Sequence, residues 1–364
     1  MKLPDGFLVS GINCGIKKKN HDLGLIYCSN FAKAQGVFTT NVNPAYSVVL
    51  CKKNIKNPVK AVLVNSGNAN CYSHKTGLKD TEEIISKLAA VLEVDKKNIL
   101  IASTGIIGKK LPKEKIIKSF PELINKLGGK TDDFSQSILT TDTFKKTSWV
   151  EISTEKNKAV ITGFAKGAGM ICPNMGTMLG FVLTDADLSK VVFKNILRRS
   201  VEKSFNSISI DGCMSTNDTV LLIYSAKVLL ENEKQVEAFS QGLDKICLDL
   251  AKMVVKDGEG ATKFVEIEII GAKDEAQAKK AGLSLANSNL FKCALYGANS
   301  NWGRVISALG QAGIKVEENI SIKSTSLKKK NVKVTVDLKK GKACWKVYTS
   351  DLTPEYVKIN AEYS

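Results

Sequence analysis

Apolar residues along the chain cluster into short runs that differ in period. Runs rich in β-branched residues, at "LGLIYC" (Leu23–Cys28), "YSVVLC" (Tyr46–Cys51), "AVLVN" (Ala61–Asn65), "ILIAS" (Ile99–Ser103) and "AVITGF" (Ala159–Phe164), predict strands. The second half adds "MLGFVLT" (Met178–Thr184), "TVLLIYS" (Thr219–Ser225), "FVEIEII" (Phe264–Ile270), "VKVTVDL" (Val332–Leu338) and "CWKVYTS" (Cys344–Ser350). Amphipathic stretches with a helical period begin at Asp80 ("DTEEIISKLAAVL"), Asp187 ("DLSKVVFKNILRRSVEKSF") and Glu233 ("EKQVEAFSQGLDKICLDLAKMVV"). Strands and helices alternate irregularly, and the glycine fingerprint of a dinucleotide-binding fold is missing. The pattern therefore predicts an α+β architecture of layered mixed sheets with packed helices, not a Rossmann fold. No Pro- or Ser-rich linker and no fixed-period repeat divides the chain.

Between the runs lie polar, glycine-punctuated segments where backbone can approach a ligand. Five stand out: "NSGNAN" (Asn65–Asn70), "STGIIG" (Ser103–Gly108), "TTDT" (Thr140–Thr143), "KGAGMICPNMGTMLGFVLTDA" (Lys166–Ala186) and "DGEGATK" (Asp257–Lys263). Any one alone reads as a turn, because Gly, Asn, Asp and Ser favour turns for local steric reasons. Five of them beside buried-looking strands point modestly toward a site at strand ends.

The chain has 364 residues and a formal charge of +17, which raises nucleic-acid binding as a possibility. Arginine, the usual reader of phosphates and base edges, stands only at Arg198, Arg199 and Arg304. The lysines are dispersed, with short runs at Lys17–Lys19 and Lys328–Lys330 that read as turns. A solvated lysine-rich surface explains the charge, and its field would gather anionic small molecules. No apolar run reaches a membrane-spanning length, and "MKLPDGFLVSGINCG" does not read as a secretory signal. The expectation is a cytoplasmic protein with neither membrane nor nucleic acid as a partner. Nine cysteines are scattered singly, without metal-ligand spacing, and read as reduced, buried hydrophobes. Cys172 is the one with a second reading, as a reactive thiol.

There are only two histidines, His21 in a segment that reads as an exposed turn and His74 in "CYSHKTG". Neither suggests a triad or a zinc site, so acyl chemistry here would need another base. A threonine freed at a new N-terminus supplies its own, an α-amine with a pKa of about 7.7–8.0. That requires a cut before the threonine, and Gly176–Thr177 is a suitable bond, since glycine tolerates strain and leaves its carbonyl open to attack. Taken alone, "GTMLGFVL" reads better as the start of a strand with a glycine bend.

Together the motifs resemble the ornithine acetyltransferase family of arginine biosynthesis, also called bifunctional glutamate N-acetyltransferases. The family pattern "KGSGMIAPNMATML" is similar to "KGAGMICPNMGTML" here. "NSGNAN", "STGIIG", "TTDTF", "FNSISIDGCMSTNDT", "DGEGATK", "NWGRV" (Asn301–Val305) and the terminal "INAEYS" match in the same order. The resemblance spans the N-terminal glycine-rich region to the last residue.

What the resemblance implies is specific. The precursor would cut itself between Gly176 and Thr177, giving an α chain of residues 1–176 and a β chain of residues 177–364, parts of one fold that stay associated as a heterotetramer of two of each. Thr177 would take the acetyl group from N-acetylornithine as an ester and pass it to glutamate in a ping-pong cycle. Thr104 and Gly105 would form the oxyanion hole. Substrate would be bound by Thr143 (preferred to Thr140), Lys166, Thr177, Glu259, Asn360 and Ser364, with Glu259 meeting the side-chain amine of ornithine. No cofactor and no metal are expected, although acetyl-CoA is a possible additional donor. Two departures stand out: Gly176 replaces the family's usual alanine, and Ala298, Asn299 and Ser300 replace an acidic "DP" type of sequence. The alternatives are a related N-terminal-nucleophile amidohydrolase or aminopeptidase, with water as acceptor, and more remotely a basic nucleic-acid-binding protein.

Overall fold

The computed structural model describes residues 1–73, 75–154, 158–172 and 178–362, which form two compact units. The larger comprises Met1–Gly167, Thr177–Val201 and Ser215–Leu250; the smaller comprises Ala168–Gly176, Glu202–Met214 and Ala251–Ser364. Sequence from before and after the 176–177 bond enters both units.

The larger unit is built on β1 (Phe7–Ile12), β2 (Leu23–Phe38), β3 (Val59–Asn68), β4 (Ile99–Ile106), β5 (Lys146–Ser153), β6 (Lys158–Lys166) and β7 (Leu179–Asp187). After β8 (Ile208–Ser209), a two-residue strand of the smaller unit, β9 (Thr219–Leu229) completes it. The hydrogen-bonded order is β4-β3-β2-β9-β7-β6-β5, with β1 beside β2. The long β2 joins two layers. Its first part pairs with β1 and β3, the register shifts between Tyr27 and Ala32, and Lys33–Phe38 then pairs with β9.

The side-chain period explains why the strands read as continuous apolar runs. On β3, Val62 and Val64 point into a core shared with Phe164, Phe181, Leu183, Leu221 and Ile223 of the other layer. Ala61 and Leu63, one residue out of phase, point to the opposite face. There they meet Ile84, Ile85 and Leu88 of α2 (Gly77–Val91), following α1 (Tyr46–Asn54) in the chain. Ile116 of α3 (Lys113–Lys118) and Leu123 of α4 (Phe120–Asn125) complete that helical layer. In the central core, Phe134 of α5 (Thr131–Ser137) meets Phe164 edge-on at 5.1 Å. The far face of the second layer is covered by α6 (Lys190–Lys203) and the first part of α7 (Glu233–Lys256), where Phe193 packs on Tyr224 at 4.1 Å. Both sheet faces are thus dry, and each fully buried aliphatic or Phe side chain contributes about 1.5–3 kcal/mol.

The smaller unit has a five-stranded sheet in the order β11-β12-β10-β13-β8, with β10 (Phe264–Ala272), β11 (Ser321–Ser324), β12 (Asn331–Asp337) and β13 (Ala343–Ser350). Val265, Ile267 and Ile269 of β10 face the core with residues of α8 (Glu275–Ala286), α9 (Asn289–Tyr296) and α10 (Gly303–Gln311). The alternate positions, Glu266 and Glu268, face out and pair with Lys333 and Lys346. A last helix, α11 (Pro354–Glu362), ends the described chain.

The layered α+β expectation holds. One predicted strand does not: "YSVVLC" is the start of α1, whose buried positions Ser47, Val48, Leu50, Cys51 and Asn54 follow a helical period. A six-residue apolar run carries too little period to separate helix from strand. The cysteines are also less uniform than expected, because Cys213, Cys293 and Cys344 are exposed while Cys28 and Cys51 are buried, which pushes both thiols up to about 12. His21 is half-buried, with Nδ1 3.9 Å from Asp133.

Candidate active site

In the larger unit, the ends of two parallel strands come together. Asn65, Ser66 and Gly67 of β3 stand opposite Ser103, Thr104 and Gly105 of β4, and the register breaks at Asn68. The approach is close enough to demand glycine. Gly105 has φ +131°, and a Cβ there would lie 2.3 Å from the carbonyl carbon of Gly67. A buried amide network supports these ends: Ser103 Oγ donates to Asn65 Oδ1 at 2.7 Å, and Asn217 Nδ2 donates to the carbonyls of Ala69 (2.6 Å) and Ser103 (2.8 Å). Asn217 lies in "STNDT", so this motif acts as a brace between the two strand ends.

Lys166, the last residue of β6, is 2% exposed and donates to Thr104 Oγ1 at 3.3 Å. That bond occupies a lone pair of the hydroxyl and leaves its single proton to be given to an anion. Lys166 also lies 3.9 Å from Asp142 Oδ2. Asp142 is the organiser of this cluster. Its side chain is fully buried, accepts from Lys146 Nζ (2.7 Å), and caps the amides of Thr140 (2.9 Å) and Gly167 (2.7 Å). Burial pushes its carboxyl upward, but the charges of Lys166 and Lys146 outweigh that and hold it at about 2.

Lys17 joins the same cluster. Its amide donates to Asp22 Oδ2 (2.8 Å), its ammonium to the carbonyl of Leu139 (3.0 Å), and its side chain passes over Gly67. Burial pushes its ammonium downward, opposed by Asp22 and Asp142. Lys17–Lys19 lies in a bend of residues 15–20, in keeping with the turn read from the sequence, but Lys17 itself is half-buried, its side chain folded against the β3 end. Thr143 lies exposed in the loop before β5.

In the smaller unit, Glu259 and Asn360 meet. Asn360 Nδ2 on α11 donates to Glu259 Oε2 at 2.9 Å, and the Glu259 amide donates to the carbonyl of Ala168 at 2.8 Å. Gly169 has to be small, since a Cβ on it would lie 2.3 Å from Glu259 Oε2. Asp211 binds the neighbouring backbone, accepting from Met170 N (2.6 Å), Ile171 N (3.0 Å) and the Tyr356 hydroxyl (3.3 Å). Burial raises the Asp211 carboxyl. Gly260, with φ +66°, lets α11 approach, for a Cβ would meet Tyr356 N at 2.4 Å. The terminal "INAEYS" is therefore anchored helix over its described part.

Of the residues singled out in the sequence, Thr104, Gly105 and Lys166 are brought together in one unit, and Glu259 and Asn360 in the other. Gly176, Thr177, Ser364 and His74 lie outside the described residues. Asp142, Lys146, Lys17, Asn217 and Asp211 escaped sequence reasoning. Asp142 stood in plain view inside "TTDTF", but nothing local shows that Lys146, four residues on, and Lys166, at the end of β6, both turn toward it. Among the described residues no group of three or more His, Cys, Asp or Glu has the arrangement of a metal site.

The family model for ArgJ matches residues 8–364, nearly the whole chain. The chain belongs to the ArgJ family. The arginine biosynthesis bifunctional protein ArgJ of Caldanaerobacter subterraneus is 38% identical, over 100% of this chain and 98% of that protein. The glutamate N-acetyltransferase of Methanococcus vannielii is 37% identical, over 99% and 96%. Among solved structures, the bifunctional protein ArgJ of Bacillus halodurans is 32% identical, with TM-score 0.45, over 47% of this chain and 91% of that one. The ArgJ family is one of acyltransferases of arginine biosynthesis, so this chain is an enzyme of that class. No helix among the described residues is long and apolar enough to cross a membrane.

Proposed function

We propose that this ArgJ-family chain transfers the acetyl group of N-acetylornithine to glutamate through an ester on Thr177, after cutting itself between Gly176 and Thr177. The two pieces, residues 1–176 and 177–364, stay associated as a heterotetramer of two of each and work in the cytoplasm. In each half-reaction negative charge develops on the acetyl carbonyl oxygen, and donors fixed where it appears lower the barrier. Thr104, with its hydroxyl proton unspent, and Gly105 supply them. Lys166, beside the ionised Asp142, faces a substrate carboxylate, with Thr143 as a further contact. Glu259, oriented by Asn360, receives the side-chain ammonium of ornithine, and Ser364 completes that end. The chemistry needs neither cofactor nor metal.

The observation that supports this reading most is the hydrogen bond from Lys166 to Thr104, two buried residues 62 positions apart that the same reaction requires side by side. The test is direct. Intact mass of the purified protein should give two pieces beginning at Met1 and Thr177, with Thr177→Ala remaining whole. With N-acetylornithine alone the enzyme should release about one ornithine per Thr177, and continuous release should require glutamate. An uncut, active chain, or repeated turnover without glutamate beyond the single ornithine per Thr177 that the first half-reaction releases, would overturn the proposal.

A further inference from the structure

Lys292, in α9 of the smaller unit, is a buried lysine whose ammonium donates to no carboxylate among the described residues. It is 2% exposed and is held by three neutral oxygens at the end of β13: the Ser350 carbonyl (2.6 Å), Thr349 Oγ1 (3.0 Å) and Ser350 Oγ (3.4 Å). Three protons thus meet three acceptors. Burial pulls the ammonium down to about 8, against the charges of Asp351 and Asp211. A buried cation is costly where an apolar side chain of similar length would fill the space, so its effect lies in what it holds.

What it holds is the stretch leaving β13. The ammonium fixes residues 349 and 350, and the Lys292 carbonyl accepts from Leu352 N at 3.5 Å, so Asp351 sits between two points tied to one residue. Asp351 is buried and turns toward "DGEGATK". Its Oδ1 accepts from Thr262 N (2.9 Å) and Lys263 N (3.0 Å), and its Oδ2 from the Thr262 hydroxyl. Two residues on, Thr353 donates its hydroxyl to the Gly260 carbonyl (2.7 Å) and accepts from Tyr356 N (3.3 Å) at the start of α11. Glu259 directly precedes Gly260, and Asn360, which donates to its Oε2, lies on α11. The backbone beside the carboxylate and the helix that carries its partner are therefore both moored to residues 349–353.

We propose that Lys292 and Asp351 are positioning residues for substrate recognition, clamping the stretch after β13 so that the Glu259 carboxylate is aimed at the side-chain ammonium of the substrate. This rests on the reading above in which Glu259 receives that ammonium. Neither residue needs to touch the substrate. Lys292 sets the path of residues 349–352, Asp351 passes it to the loop of Glu259, and Thr353 carries it into α11. A misplacement of about 1 Å is enough to weaken such a contact severely.

The test compares two acetyl donors on the full-length protein with glutamate as acceptor: N-acetylornithine, and N-acetylnorvaline, which lacks only the side-chain amine. The readout is the ratio of their kcat/KM values. Lys292→Met keeps an unbranched side chain of similar length without the charge. In it the ratio should fall roughly tenfold, the effect of one charge-assisted contact, chiefly through the KM for N-acetylornithine. A merely structural loss would slow both donors alike and leave the ratio where it was. Thr262→Val, at an exposed position, removes only the hydroxyl bond to Asp351 and should lower the ratio about threefold. A ratio that holds in Lys292→Met, or in Thr262→Val where Lys292→Met does not fold, overturns the proposal. Glu259→Gln separates the clamp from the reading it rests on. A ratio that collapses there but holds in the other variants overturns the clamp alone, whereas a ratio that holds in Glu259→Gln removes the role of Glu259 and the clamp with it.

Discussion

Lys166 and Thr104, on the last residue of β6 and near the end of β4, are joined by a 3.3 Å hydrogen bond in which the ammonium donates and the hydroxyl accepts. The direction of this bond matters, because it leaves the Thr104 proton for an oxyanion and places a cation behind it. Thr104→Ala should therefore lower kcat by about 10²–10³ with little change in KM. The ornithine-release assay checks it. A change confined to KM would show that Thr104 binds substrate without stabilising the reaction's charge.

Asp142 predicts an effect on stability. Asp142→Asn leaves Lys146 and Lys166 buried without their carboxylate, at a cost of about 3–5 kcal/mol, read as a fall in Tm or denaturant midpoint. The sign of its pH dependence follows from the folded carboxyl lying at about 2, below the unfolded value. The stability it contributes is complete above the unfolded pKa and is lost as pH falls through the folded one. The acid limb of the stability profile should accordingly be shallower in Asp142→Asn than in the wild type.

Gly169 separates substrate recognition from folding. Its missing side chain makes room for Glu259 Oε2, so Gly169→Ala must displace that carboxylate. The expected outcome is a KM for N-acetylornithine raised roughly tenfold, about 1.4 kcal/mol of binding. An unchanged KM would remove Glu259 from the role of ammonium partner.

A control lies at Gly310 in α10, where a Cβ would meet nothing within 4 Å. Gly310→Ala should stabilise the chain by up to about 1 kcal/mol through helix propensity. Calorimetry reads this as a raised Tm at unchanged activity.

Much of the fold was legible because both layers of the larger unit bury two faces. Strands such as Ala61–Asn65 and Ile99–Ser103 are then apolar without interruption, and a sequence reports that directly. Tyr46–Cys51 was misread for the same reason: a short apolar run looks alike in a buried strand and in one side of a helix. The site was legible only as far as its motifs. Thr104, Gly105, Lys166, Glu259 and Asn360 come from segments whose glycines and polar residues mark backbone that approaches something.

The sequence by itself determined the class of architecture, the family, and the need for a base other than histidine, because composition, period and motif order are properties of the chain as written. Tertiary structure alone decided which charges meet. Lys17, Lys146 and Lys166 gather around Asp142, and Asn217 braces two strand ends. The physical reason is the steep distance dependence of these interactions in a dry interior. Partners far apart along the chain come within hydrogen-bonding reach only after the sheets have paired.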